Sequence, residues 1–375
     1  MSELGRAEGA DELISMGVAD PAFPTDRKVV DAFNYAVDSG CTHYFPAKGF
    51  DELVLPKAIA TFYEEDRGLE VDPANEVCIT HGAQEALSLS ILAAMKPGDE
   101  IVVPQPTYNA LIEKLEIFGV RPVLVPLLEG EGWRLDTDAV RAAISERTRM
   151  VFICNPNNPT GTVLGKGDVD ALSGVLREEK RVSLLLDECY SRILFDGTRF
   201  TAFPSDDEDL RGRTFLVNSF SKAYAMTGWR LGYVVTDKAH ADAIKHLSFE
   251  LNGGVSYPVQ YAGARALKEC ASFVHSMVRE LDKRRSAMLR GLSELEDVGF
   301  ALPSAGFEVF PDFSPHSRDS VALCARLSRD AKVKTMPGVK YGPSGEGHLR
   351  LVFCAEDEER IAEGLTRIRG CLRRR

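Results

Sequence analysis

The sequence predicts an α/β protein: a large domain with a mostly parallel, seven-stranded sheet flanked by helices, plus a smaller α+β domain. Three observations carry this reading. Between residues 76 and 236 the chain holds a series of short apolar runs, each followed by a polar or Gly/Pro cluster. Helical stretches lie between most of these runs, and continuous apolar strands alternating with helices indicate a parallel sheet covered on both faces. Beyond about residue 258 the texture changes to long amphipathic helix with two short strands.

The elements follow in order. Residues 1–12 are polar and read as an N-terminal arm. From Asp26 to Asp38, the side chains Val29, Val30, Phe33 and Val37 fall at helical spacing. The strand-like runs are Glu76–Thr80, Glu100–Val103, Pro122–Pro126, Met150–Cys154, Val182–Leu186 and Thr214–Val217, with Arg230–Val235 as the seventh. Gln84–Met95, Asn109–Phe118, Thr137–Ile144 and Lys166–Arg177 each show an apolar helical face. A long amphipathic helix is expected from Ala262 to about Leu295, then strands at Phe307–Pro311 and Leu349–Phe353. A last helix carries Ile361, Leu365, Ile368 and Leu372 on one stripe, and its acidic start and Arg-rich end suit the helix dipole. The expected division is a large domain over 42–257 and a small domain built from 13–41 and 258–375.

Composition excludes several classes. The chain of 375 residues is 44% hydrophobic and 27% charged, ordinary for a globular protein. A formal charge of −11 argues against a nucleic-acid or anionic-membrane surface. The apolar runs are far below the roughly 18 residues a membrane span requires. The start, Met1 to Gly5, lacks the features of a signal peptide. The eight cysteines form no C-x-x-C pair and read as buried, reduced thiols of a cytoplasmic protein. The seven histidines are scattered and no H-E-x-x-H occurs, so no metal site is expected. No G-x-G-x-x-G follows a strand. The stretch Gly161–Gly167 mimics a phosphate loop but has glycine where Ser or Thr should hold magnesium.

In an open α/β sheet, ligands bind beyond the carboxyl ends of the strands. Five runs carry chemistry at that point. After Thr80 comes His81-Gly82-Ala83-Gln84, opening a helix; after Val103 comes Pro104 to Tyr108. After Cys154 comes Asn155-Pro156-Asn157-Asn158-Pro159-Thr160-Gly161; after Leu186 comes Asp187-Glu188-Cys189-Tyr190; after Val217 comes Asn218-Ser219-Phe220-Ser221-Lys222. These tips supply an anion-binding turn, an aromatic ring, an amide, a carboxylate with a phenol, and hydroxyls with a lysine. Together they point to one polar ligand with an aromatic ring and a phosphate.

These segments, with Tyr44 to Gly49, Gly228-Trp229-Arg230-Leu231-Gly232 and Leu349-Arg350-Leu351, resemble the class I/II pyridoxal-phosphate-dependent aminotransferases of fold type I, aspartate aminotransferase-like. The resemblance runs from about Ile14 to Phe353. It implies the fold-type I transferase architecture, pyridoxal 5′-phosphate as cofactor, and a homodimer with shared sites. It implies ping-pong transfer of an amino group between an L-amino acid and a 2-oxo acid. The alternative on the same scaffold is a specialised lyase, cyclase or other enzyme acting on an amino acid.

Roles follow from the same resemblance. Lys222 carries the cofactor as a Schiff base and shuttles a proton. Asp187 pairs with the protonated ring nitrogen. Tyr190 and Asn158 hydrogen-bond the ring's phenolic oxygen, and Asn158 also faces the substrate. Tyr108 stacks on the ring. The phosphate is held by the backbone at Gly82, Ala83 and Gln84, by Ser219 and Ser221, and by Arg230, with Tyr44 reaching across from the partner subunit. Arg350 grips the substrate α-carboxylate, and the Gly17 backbone approaches the substrate. Cys189 stands where this family more often has Ile or Val.

Overall fold

The computed structural model describes residues 13–203 and 207–374, so the expected arm over 1–12 lies outside the described residues. In chain order the strands are β1 (Ile14–Ser15), β2 (Val77–Thr80), β3 (Glu100–Gln105), β4 (Arg121–Pro126), β5 (Thr148–Cys154) and β6 (Ser183–Asp187). They continue as β7 (Thr214–Ser219), β8 (Gly232–Val235), β9 (Glu308–Val309), β10 (Val333–Lys334), β11 (Met336–Pro337) and β12 (Leu349–Val352). Among the described residues, β2 to β8 form one sheet in the order β2-β8-β7-β6-β5-β3-β4. From β7 to β4 neighbours run parallel, and β8 is antiparallel to both of its neighbours. The cause is the connection: no crossover helix separates β7 from β8, and a short link can only return the chain antiparallel. The amino end of β8 therefore lies at the same edge as the carboxyl ends of the parallel strands, with Gly232 opposite both Thr80 and Ser219.

Both faces of the sheet are covered. Along β5, Met150, Phe152 and Cys154 face a core built with the helices Ala83–Ala94, Asn109–Ile117 and Lys238–Asn252. Val151 and Ile153 face the opposite core, built with Thr137–Ala143 and Lys166–Glu178. This two-sided burial is why the strands read as unbroken apolar runs. A further core packs Ile59 and Tyr63 of the helix Val54–Arg67 and Ala262 of Tyr257–Glu269 against Val77, Tyr233 and Val235.

The chain ends share one core. Ile14 and Met16 pack with Leu281, Phe307, Val309, Leu351, Ile361, Leu365 and Ile368. β1 pairs with β10, and β9, β12 and β11 form an antiparallel sheet. The last helix, Glu358–Arg373, starts at Asp357, whose carboxylate accepts the Arg360 N–H.

One expected element is corrected. The single long helix from Ala262 to Leu295 is two helices, Tyr257–Glu269 and Ala271–Ser293. They meet at Cys270, which leaves helical geometry (φ −107°, ψ 22°) and is fully buried. Its N–H still bonds the Ala266 carbonyl and its carbonyl accepts the Val274 N–H, so the chain turns without stranding a backbone group.

Candidate active site

The site forms where the strand tips converge. At the end of β7 the chain makes a tight turn: the Ser219 N–H donates to Asn218 Oδ1 (2.7 Å) and the Ser221 N–H donates to Ser219 Oγ (2.9 Å). Phe220, 1% exposed, anchors the turn in the core, and Ser219 and Ser221 are buried. This projects Lys222 outward. Its Nζ donates to the Ala19 carbonyl at 2.6 Å and sits 5.6 Å from the centre of the Phe307 ring.

Asp187 ends β6 and is buried. Its Oδ1 accepts the Cys189 N–H at 3.0 Å. Burial holds this carboxyl above its ordinary range; hydrogen bonds from Cys189 and the Lys222 charge offset part of that. A carboxylate kept in such a place calls for a positive partner. Tyr108, at the start of the helix Asn109–Ile117, receives a hydrogen bond from the Gln84 amide, and burial pushes its phenol up.

The helix Ala83–Ala94 begins at Gly82 without a side-chain cap, leaving its first N–H groups free for an anion. Arg230 lies directly over this turn. A Cβ built on Gly82 would stand 2.6 Å from Arg230 Nη2, and one on Gly232 would stand 2.6 Å from the Gly82 carbonyl carbon. Only glycines let these segments meet. Arg230 donates to the carbonyls of Thr227 (2.7 Å) and His81 (3.3 Å).

Arg350, on β12, is 5% exposed. Its Nη2 donates to the Gly17 carbonyl at 2.6 Å, and its guanidinium carbon lies 5.4 Å from the centre of the Tyr341 ring. The β1–β10 pairing brings Gly17 here, and a Cβ on Gly17 would stand 3.0 Å from the Thr335 carbonyl oxygen.

One cavity of about 390 Å³ collects most of these groups: Ala83, Gln84, Tyr108, Asn158, Asp187, Tyr190, Ser219, Ser221, Lys222, Arg230 and Arg350 line it. Gly82 lies beneath Arg230, and Gly17 holds Arg350. Tyr44 stands apart, 87% exposed, in a groove with His43, Asn252 and Tyr257.

Two functional candidates escaped the sequence reading. Asp20 lines the cavity and accepts the Thr227 hydroxyl at 2.6 Å. Glu308, 1% exposed, accepts the Tyr190 hydroxyl at 2.6 Å, so Tyr190 does not present a free O–H. The only signal for Glu308 was an acid inside the apolar run Phe307–Pro311.

The donor set suits a phosphorylated aromatic cofactor. The uncapped helix start beside Arg230 matches a phosphate, the Tyr108 face a flat ring, and the buried Asp187 a protonated ring nitrogen. Asn158 Oδ1 and Arg350 Nε, both in this cavity, are buried without a hydrogen-bond partner.

Comparison with known proteins agrees. The family model described as "Aminotransferase class I and II" matches residues 11–368. A probable aspartate/prephenate aminotransferase of Aquifex aeolicus is 34% identical over 372 residues, covering 98% of this chain and 92% of that protein. The aromatic aminotransferase structure from Pyrococcus horikoshii superposes with a TM-score of 0.91 at 31% identity, covering 97% of this chain and 96% of that one. The aspartate aminotransferase of Thermus thermophilus with maleate gives 0.88 at 32% identity, covering 96% and 91%. With the anion turn, lysine, carboxylate and arginine gathered at one sheet edge, the chain belongs to the class I and II aminotransferases, enzymes that move amino groups between amino acids and oxo acids.

Proposed function

We propose that the cavity holds pyridoxal 5′-phosphate and that the protein runs a ping-pong transamination on α-amino acids. The observation that carries this is the meeting of Lys222, Asp187 and the Gly82–Arg230 turn in one cavity. When bound, the cofactor supplies an electron sink for the pair released at the substrate's Cα.

The chain's residues do the rest. Lys222 Nζ would hold the cofactor, and the same nitrogen would take the proton from the substrate's Cα and return it. Asp187 would hold a proton on the ring nitrogen, and that partner charge would relieve the cost of burying the carboxylate. Tyr108 packs on the ring. Asn158 and Tyr190, which line the same cavity, would face the ring oxygen. Backbone N–H groups of Ala83 and Gln84, the hydroxyls of Ser219 and Ser221, and Arg230 hold the phosphate. Gly82 lets Arg230 lie close. Arg350 binds the α-carboxylate, aimed by the Gly17 carbonyl and the Tyr341 ring.

The same reading takes 42–257 as the large cofactor-binding domain and 13–41 with 258–375 as the small one; the core shared by Ile14, Met16 and residues from Met277 onward supports the small domain, whereas Val29 and Ala262 pack with Val77 and Tyr233 of the large sheet. The exposed Tyr44 and Phe45 beside their groove support a homodimer in which Tyr44 reaches the partner's phosphate site. A cytoplasmic location fits the eight free cysteines, mostly buried. Among the described residues, no helix is long and apolar enough to cross a membrane.

The test is a half-reaction. Holoenzyme is mixed with single amino acids, and the cofactor's absorbance change is compared with the oxo acid released. Stoichiometric oxo acid supports the proposal. Spectral change without oxo acid contradicts it.

A further inference from the structure

Glu308 is an acid on a buried strand. It lies between Phe307 and Val309, both fully buried, and opposite Val352 of β12. Both of its oxygens are engaged. Oε1 accepts the Tyr190 hydroxyl at 2.6 Å, and Oε2 accepts the Phe307 N–H at 2.9 Å. Neither partner is a cation, so the burial of this carboxylate is not explained by an ion pair.

The surroundings are shaped around this contact. Gly306 adopts φ +75°, and a Cβ there would stand 2.7 Å from Glu308 Oε2 and 3.6 Å from Tyr190 Cδ1. The Tyr190 ring is held edge-on to Phe307, with centroids 5.1 Å apart. Arg350 brings positive charge to Tyr190, while Tyr341, Cys154 and Cys354 are the other titratable groups that feel Glu308. Asp187 and Lys222 line the same cavity as Tyr190. Burial first, then the Glu308 charge, hold the Tyr190 phenol well above its ordinary range, so it keeps its proton.

A phenol has one proton and gives it in one direction. We infer that Glu308 is a positioning residue that holds the Tyr190 proton on itself and so withholds that donor from the cofactor's ring oxygen. The inference rests on the cofactor reading above. It leaves the Asn158 amide as the group able to donate beside that oxygen.

Glutamine at 308 reverses the arrangement. The Phe307 N–H can only donate, so the new amide must turn its oxygen toward Phe307. Its NH2 then faces Tyr190, whose proton is released toward the cavity. A new donor to the anionic ring oxygen stabilises the deprotonated form of the Lys222–cofactor link.

The experiment is a spectrophotometric pH titration of holoenzyme. In Glu308→Gln the transition should move down by about one pH unit, the scale of one hydrogen bond to a charged group. The shift should vanish when Glu308→Gln is made in a Tyr190→Phe background. A Glu308→Gln transition equal to or above wild type's overturns the inference, as does an equal shift in both backgrounds. Proton NMR of the cofactor-free protein supplies a second readout. The Tyr190 hydroxyl proton should give an exchange-protected downfield resonance that is lost in Tyr190→Phe and in Glu308→Gln. Its absence from wild type also overturns the inference. If it is present but the protein takes up no pyridoxal phosphate, the reading of the cavity fails and the Tyr190–Glu308 bond stands.

Discussion

Replacing Gly82 with alanine probes the anion-binding turn. Gly82 holds φ 78° and ψ 173°, a conformation that costs a side-chain-bearing residue about 1–3 kcal/mol. The new Cβ would stand 2.6 Å from Arg230 Nη2 and 3.2 Å from Arg230 Cζ. A guanidinium is the free end of a flexible side chain, so it yields before the backbone does. Arg230 then swings away from the His81 carbonyl and off the phosphate position. A hydrogen bond to a charged group contributes about 1.5–3 kcal/mol, so affinity for pyridoxal phosphate should fall roughly 10- to 150-fold. The backbone strain alone should lower the melting temperature by roughly 1–4 °C. Spectral titration of cofactor-free protein gives the affinity, and circular dichroism on heating gives the stability. Because the change acts by moving Arg230, Gly82→Ala/Arg230→Ala should bind the cofactor about as well as Arg230→Ala alone. Wild-type affinity in Gly82→Ala, or fully additive losses in the double variant, would refute the reasoning.

Three further outcomes are expected. Arg350→Ala should lower kcat/KM for amino acids by roughly 30- to several-thousand-fold, since a desolvated charge pair is worth about 2–5 kcal/mol. Amines lacking the carboxylate should lose little, and equal losses for both substrate types would mark the arginine as structural. Asp187→Asn should cost roughly 10²–10³ in rate or more. In cofactor-free protein the burial-raised carboxyl means the folded chain holds a proton that the unfolded chain has already released. Asp187 therefore subtracts stability as pH rises from about 3.8, its ordinary value, through the raised one. The variant should gain on wild type in urea unfolding as pH rises above about 3.8, and parallel curves would contradict this. Mixing Tyr44→Phe and Lys222→Ala subunits should yield hybrids more active than either parent, whereas an active monomer in sedimentation excludes shared sites.

Much of the site was legible because a parallel α/β sheet places whatever follows each apolar run at one edge. Asp187, Asn158, Ser219 and Lys222 could be found that way without knowing strand order. Arg230 could not, because it precedes its strand; only the antiparallel direction of β8 puts it at the same edge. Glu308 lies 118 residues from Tyr190, and no local pattern announces a contact of that range. The helix break at Cys270 was hidden because Ala262, Ala266, Val274 and Met277 keep apolar spacing across it. The helix Lys238–Asn252 was missed because its buried face is short and small, carried by Ala241, Ile244 and Ser248.

The central claim is that Lys222 carries the cofactor beside Asp187 and the Gly82–Arg230 turn. Borohydride reduction of the holoenzyme, followed by proteolysis and mass spectrometry, tests it most directly. The account predicts one pyridoxyl group per chain, on the peptide containing Ser219-Phe220-Ser221-Lys222, and none in Lys222→Ala. A pyridoxyl group on any other lysine, or a covalent adduct that survives Lys222→Ala, would contradict it.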